Sequence, residues 1–361
     1  MVEKETRSLL QISVKFFKMS SKISSQKIAL ALLVVFAFSS LFVGLQRCKS
    51  DTNVPPPPSA SKPAVPQVPT PTFNADSAYF FVKKQVDFGP RVPNTEAHRK
   101  CAAWLAGEFK RHGLTVIEQK FQAPHYKGGT LNGINIIGQY KPELPRRILL
   151  AAHWDSRFHA DQDTKDKEKP ILGADDGGSG VAVLLEIARL LKTQPVEMGV
   201  DFVLFDAEDQ GNDSGDGTDN SKTWCLGAQH WSKNLHKPNY IPLFGILLDM
   251  VGGANPRFQK EEISTYFAPV IVEKVWSTAA SLGYSNVFVP EKGAGVTDDH
   301  YFVNTIANIP MIDIISRPDG SKFVPHWHTH GDNMKAIDKN TLRIVGEVVT
   351  AVVYRTNNGV L

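Results

Sequence analysis

The chain has 361 residues, 42% of them hydrophobic and 21% charged, with a formal net charge of +3, the profile of a folded protein with one large or two ordinary domains. Disorder throughout is excluded, and so is a polytopic membrane protein, because one stretch only, residues 28–45, is long and apolar enough to approach a spanning helix. So small a charge gives no reason to expect nucleic acid or an anionic membrane surface as a partner.

Residues 1–48 read as an export signal. After Met19, itself a natural start, the basic Lys22 and Lys27 precede the uncharged run 28–45 and polar residues follow it, the plan of a secretory signal or a signal anchor. Cys48 follows Leu45-Gln46-Arg47, and this Arg is a poor fit to the small residue expected before a lipidated cysteine. Cleavage, lipidation at Cys48 and an uncleaved anchor stay open, and any membrane attachment is expected through this segment alone. It holds seven Lys and Arg against two Glu, which leaves 33 basic and 35 acidic residues in the remainder. Residues 49–73 carry Pro55, Pro56, Pro57, Pro58, Pro63, Pro66, Pro69 and Pro71, a composition that favours an extended spacer and buries no core. One catalytic domain is therefore expected over residues 74–361, with no internal repeat.

Beyond Arg146 short apolar runs alternate with helical periods, the pattern of an α/β fold: a three-layer αβα sandwich around a mostly parallel mixed sheet. The pattern predicts strands at 148–152, 201–205, 245–248 and 311–315, and helices at 181–191, 268–282 and 341–354. The strand exits carry the chemistry, because ligands in open α/β sheets bind beyond the carboxyl ends of the strands. The first predicted strand runs into His153-Trp154-Asp155, the second into Asp206-Ala207-Glu208-Asp209 and the third into Asp249, while the fourth contains Asp313.

Like charges packed together raise one another's pKa, so converging acids point to a bound cation. His153, or His328 in Pro325-His326-Trp327-His328-Thr329-His330, is placed to add a nitrogen ligand, and mixed His and carboxylate ligation fits zinc. No His pair has the i, i+4 spacing of a helix-borne site, so the ligands are expected from separate loops. In Gly173-Ala174-Asp175-Asp176-Gly177-Gly178-Ser179-Gly180 the glycines allow a carboxylate to approach a metal just before a helix begins. Two consecutive acids with no following Lys-Ser/Thr make it a poor phosphate cradle. The three cysteines, Cys48, Cys101 and Cys225, have no metal-ligand spacing and an odd count; Cys101 and Cys225 are expected as packed thiols rather than a disulfide.

His153-Trp154-Asp155-Ser156, Gly173-Ala174-Asp175-Asp176, Glu208-Asp209, Asp249 and His328 follow in the order and rough spacing of the M28 zinc aminopeptidase-like family, which the chain resembles over about residues 80–354. Within it the segment 248–256 with Asp298-Asp299-His300 and Trp327-His328-Thr329 looks most similar to the glutaminyl cyclases. The resemblance implies one zinc held by Asp176, Asp209 and His328, with Glu208 as general base and acid. It also implies a hydrogen-bond network of Asp249 and Asp298, with Asp313 where animal cyclases have a histidine, and a pocket wall at Trp327; Trp224 is a second candidate wall.

Two departures, Asp209 in place of the usual glutamate and Ala152 in place of a disulfide cysteine of animal secreted cyclases, imply a bacterial, periplasmic branch. The implied substrates are peptides with an N-terminal glutamine, converted to pyroglutamate with loss of ammonia. The rival reading is an M28-type aminopeptidase with a second metal at His153 and Asp249. A third is a non-catalytic domain keeping a relic metal site, and an intact Glu208 speaks against it.

Overall fold

The computed structural model describes residues 68–214, 220–320 and 322–361, within a compact unit spanning Val65–Leu361. The expected export segment and most of the proline-rich linker lie outside the described residues. Phe73, just before the expected start of the domain, is already buried in the core, with Val68 packed against the same cluster. Among the described residues no helix is long and apolar enough to cross a membrane.

Eight strands form. β1 (Thr115–Pro124), β2 (Thr130–Tyr140), β3 (Arg147–His153), β4 (Gly199–Phe205), β5 (Gly245–Asp249) and β8 (Met311–Ile315) make one sheet in the order β1-β2-β4-β3-β5-β8, and the short β6 (Phe258–Lys260) and β7 (Phe288–Lys292) pair apart from it. β4, β3, β5 and β8 run parallel, and β1 and β2 add an antiparallel hairpin at one edge. The four parallel strands are buried at every position, which is why the sequence writes them as mostly apolar runs, interrupted inside by Asp201 and Asp313, rather than alternating ones.

Alternation reappears as a division between two cores. Leu150, Ala152, Phe202, Leu204, Ile246 and Ile314 pack on one face with helices α1 (Ala75–Val86), α2 (Glu96–Arg111), α3 (Gly178–Thr193), α6 (Pro269–Ser281) and α8 (Lys339–Asn357). Leu149, Ala151, Val203, Phe205, Leu247 and Met311 pack on the other face with α4 (Leu226–Lys233) and α7 (Asp299–Ile306). Each of the larger side chains contributes roughly 1.5–3 kcal/mol by leaving water, and the two cores make the expected three-layer sandwich. Cys101 belongs to the first core and Cys225 to the second, both as free thiols, so the sheet itself stands between them.

Helices α3, α6 and α8 fall where the periodicity puts them. The elements before Arg146 and the short α4, α5 (Glu262–Phe267) and α7 were not expected, although α2 buries Cys101, Ala102, Leu105, Ala106 and Phe109 at helical spacing. One contact decides how close α3 lies to the sheet: a Cβ on Gly180 would stand 2.2 Å from the Leu248 carbonyl oxygen. Only glycine permits that approach, and it draws the start of α3, with the acids just ahead of it, over the exit of β5.

Candidate metal centre

The parallel strands deliver their polar exits to one edge. β3 ends on His153, β5 ends on Asp249, and β4 is followed at once by Asp206 to Asp209. Asp176 arrives from the glycine turn, where Gly177 has φ 85° and a Cβ would lie 2.7 Å from the Asp155 carbonyl oxygen. Asp332 fixes that turn, its two carboxylate oxygens accepting from the N–H groups of Asp175 (2.7 Å) and Asp176 (3.1 Å). Asp155 does the same for the acidic loop after β4, accepting from the N–H groups of Glu208 (3.1 Å) and Asp209 (3.2 Å) and from the Gln210 amide (2.8 Å).

These anchors gather two buried triads that share Asp176. In one, His153 Nε2 is 3.0 Å from Asp176 Oδ1 and 3.2 Å from Asp249 Oδ1. In the other, His328 Nε2 is 3.0 Å from Asp209 Oδ1 and 3.8 Å from Asp176 Oδ2. Within each triad the potential ligand atoms lie within 4.8 Å of one another. Asp176 Oδ2 and Asp209 Oδ2 are buried with no hydrogen-bond partner. Buried carboxylate oxygens without donors are costly, and a cation satisfies both, so the residues fit a metal.

Electrostatics agree. Burial, reinforced by Asp176 and Asp298, pushes the Asp249 carboxyl up to about 7 against the pull of His153. His328 goes the other way: although burial opposes its charge, Asp209 and Asp161 raise it to about 9. Burial also holds Glu208 well above the usual carboxyl range, with Asp209, Asp298 and Asp299 adding to the effect. Such opposed shifts in one cleft are the pattern of a candidate site for proton or metal chemistry.

Glu208 lies beside the triads with Oε2 4.0 Å from His153 Nδ1, and its Oε1 accepts from the Cys225 thiol at 3.3 Å. Glu208, Asp176, Asp209, Asp249, Asp298 and His328 line a cavity of about 630 Å³ whose walls include Trp224, Phe323 and Trp327, a size suited to a small-molecule or side-chain ligand. Trp327 stacks on the His328 ring at 3.8 Å, and Trp224 lies parallel to it at 6.1 Å. Both tryptophans therefore line the cavity, and both also flank a candidate ligand.

Asp313 stands elsewhere. It projects from β8 behind the cavity, fully buried, with neither oxygen hydrogen-bonded, in a group with Asp298 and His300. Burial, with Asp298 and Asp249 nearby, holds its carboxyl well above the ordinary range.

Sequence reasoning singled out Asp155 but gave it no role, and it missed Asp332, Arg157, Asp161 and the Glu208 contact of Cys225. Four non-glycine residues at the site, Ala207 (φ 53°), Cys225 (φ 53°), Met250 (φ 47°) and His328 (φ 53°), adopt left-handed backbone. Such conformations persist where surrounding structure imposes them, and they concentrate at functional sites.

Residues 135–353 match the family model of peptidase family M28. The glutaminyl cyclase of Bacteroides thetaiotaomicron, solved with N-acetylhistamine bound, is 51% identical, with a TM-score of 0.77 over 79% of this chain and 99% of that one. A structure from the same organism described as a leucine aminopeptidase precursor is also 51% identical, with a TM-score of 0.77 over 80% and 99%. Aminopeptidase YwaD of Bacillus subtilis is 28% identical over 273 residues; the match takes in 73% of this chain and 54% of the aminopeptidase, so the chain spans about half its length. The chain belongs to peptidase family M28 and, within it, stands with the bacterial glutaminyl cyclases.

Proposed function

We propose that this chain is a glutaminyl-peptide cyclotransferase, closing the N-terminal glutamine of peptides or proteins to pyroglutamate with release of ammonia. The observation that carries the reading is the likeness to a glutaminyl cyclase across 99% of that protein's length, in a chain that keeps Glu208, Asp176, Asp209 and His328 around one cavity.

Asp176, Asp209 and His328 would hold one zinc ion, their mixed nitrogen and oxygen donors suiting that metal. Bound there, zinc supplies Lewis-acid polarisation of the γ-carboxamide. The protein supplies the rest. Glu208 takes a proton from the α-amine as its nitrogen bonds to the carboxamide carbon, then returns a proton to the nitrogen that leaves as ammonia. Its raised pKa, set first by burial, suits both transfers. Asp249 and Asp298 face the same cavity and, protonated, donate hydrogen bonds to the reacting groups, with Asp313 supporting Asp298 from behind. Trp327 and Trp224 confine the glutamine side chain in its folded-back form, converting an improbable conformer into the bound one.

A second reading, an aminopeptidase, is favoured by one feature. His153, Asp176 and Asp249 form a complete second triad that shares Asp176 with the first, the arrangement that would hold a second metal for hydrolysis. Ammonia release from a Gln-starting peptide, set against free amino acid released from a Leu-starting one, separates the two readings. Export to a bacterial periplasm, free or held by residues 1–48, is proposed on the order of basic and apolar residues in that segment. Fractionation of cells expressing the full chain tests it.

A further inference from the structure

We infer that Arg157 and Asp161 form a clamp that positions two ligand side chains at once, His328 and Asp209; the inference rests on the ligand set proposed above. The His328 ring presents Nε2 to Asp209 and Asp176, and its other nitrogen, Nδ1, lies 3.1 Å from Asp161 Oδ1, an ion-pair contact made without hydrogen-bond geometry. An imidazole that ligates through one nitrogen is oriented, and made more basic, by a carboxylate at the other. Asp161 is itself gripped by a fork: Arg157 Nε donates to Oδ1 at 3.0 Å and Nη2 to Oδ2 at 2.7 Å. His159 Nε2 approaches the same Oδ2 at 3.4 Å. Bidentate geometry fixes the carboxylate plane as well as its distance.

The same guanidinium reaches the other ligand. Arg157 Nη1 donates to the carbonyl oxygens of Asp209 (3.0 Å) and Gly211 (3.2 Å) and lies 3.7 Å from Asp209 Oδ1. Its side chain is wholly buried, and the Trp224 ring lies over it at 4.5 Å. It therefore cannot swing to water, and its charge is balanced where it stands. The backbone closes the arrangement, since the N–H of Gln162 donates to the His328 carbonyl at 3.2 Å. One rigid cation thus sets the backbone of Asp209 directly and the ring of His328 through Asp161; the hold on the ring is lost with either member of the pair, and the hold on the Asp209 backbone with Arg157.

The test is zinc affinity of the full chain, measured by competition with a chromophoric chelator. Asp161→Asn keeps the shape and removes the charge, and it should weaken zinc binding by roughly 10–100-fold. Arg157→Lys, which keeps the charge and loses the fork, should weaken it similarly. Asp166→Ala, in the same loop but exposed and paired with Lys169, should leave it unchanged. If Asp161→Asn binds zinc as the parent does while His328→Ala does not, the clamp is overturned and the ligand set stands. If His328→Ala also binds zinc as the parent does, the ligand set itself falls, and the clamp with it.

Discussion

The thiol of Cys225 donates to Oε1 of Glu208 across 3.3 Å, and the Cys225 N–H donates to the Glu208 carbonyl oxygen at 2.9 Å. Cys225 adopts left-handed backbone at φ 53° to do so, so the start of α4 is laid against the acidic loop. One oxygen of Glu208 is held, and the other is left for the cavity. Cys225→Ala should lower kcat roughly five-fold, the loss of about 1 kcal/mol for one such hydrogen bond, with KM and zinc content unchanged. Cys225→Ser should keep most of the rate. Cys225→Gly should be as slow as the alanine variant although it relieves the backbone, and steady-state kinetics that rank glycine with the parent would remove the thiol from this role.

Asp155 anchors Glu208 and Asp209 by accepting three N–H donors while fully buried. Asparagine of the same size turns one acceptor into a donor and leaves buried N–H groups facing N–H groups. Asp155→Asn should therefore cost about 3 kcal/mol of stability and weaken zinc binding as well, both readable by denaturant titration and chelator competition. An unchanged unfolding midpoint would contradict the anchoring.

Gly180 lies where α3 meets the exit of β5, and a methyl group there would collide with the Leu248 backbone. A carbonyl cannot rotate away as a side chain can. Gly180→Ala should lower stability by about 2–3 kcal/mol, shifting the thermal midpoint by roughly 5 °C, and calorimetry of the metal-free chain would detect it.

Acid should destabilise the domain through two histidines remote from the metal centre. Burial lowers His236 to about 4, and its Nδ1 accepts a hydrogen bond from the Trp231 indole at 3.1 Å, which only the unprotonated nitrogen can do. Burial, with Lys192, Arg189 and Arg111 nearby, lowers His112 to about 4 also. A folded pKa below the unfolded value near 6.5 means that the unfolded chain binds the proton more tightly. The stability each neutral ring preserves is complete above about pH 6.5 and is lost as pH falls toward 4, by roughly 3 kcal/mol for His236. Urea titrations across that window should show the loss, and His236→Gln should flatten it.

The parts of this protein that were legible in its sequence are those where one physical demand dominates. β3, β4, β5 and β8 are buried on both faces and had to be mostly apolar, and the polar residues at their exits were then conspicuous. Glu208, Asp209 and Asp249 were found that way, Asp176 came from its glycine-rich turn and His328 from its histidine-rich segment, and all five meet at one cavity. β1 was illegible because it is an edge strand with mostly exposed or half-buried positions, and α5 and α7, at 6 and 8 residues, are too short to show a helical period. Arg157 and Asp161 looked like any solvated pair in a polar loop. Their meaning depends on His328 and Trp224, which only the fold brings to them. Asp313 was legible as an acid in a buried strand, but alternation along β8 turns it toward α7 rather than into the cavity.

The most direct test of the cyclase assignment is mass spectrometry of one reaction: the purified, zinc-loaded protein with a peptide beginning in glutamine. Cyclisation predicts a product of unchanged length that has lost one ammonia, formed by the parent and not by a Glu208→Gln variant that still binds zinc. Release of free glutamine with a peptide one residue shorter would contradict the account and move the protein to the hydrolases of its family.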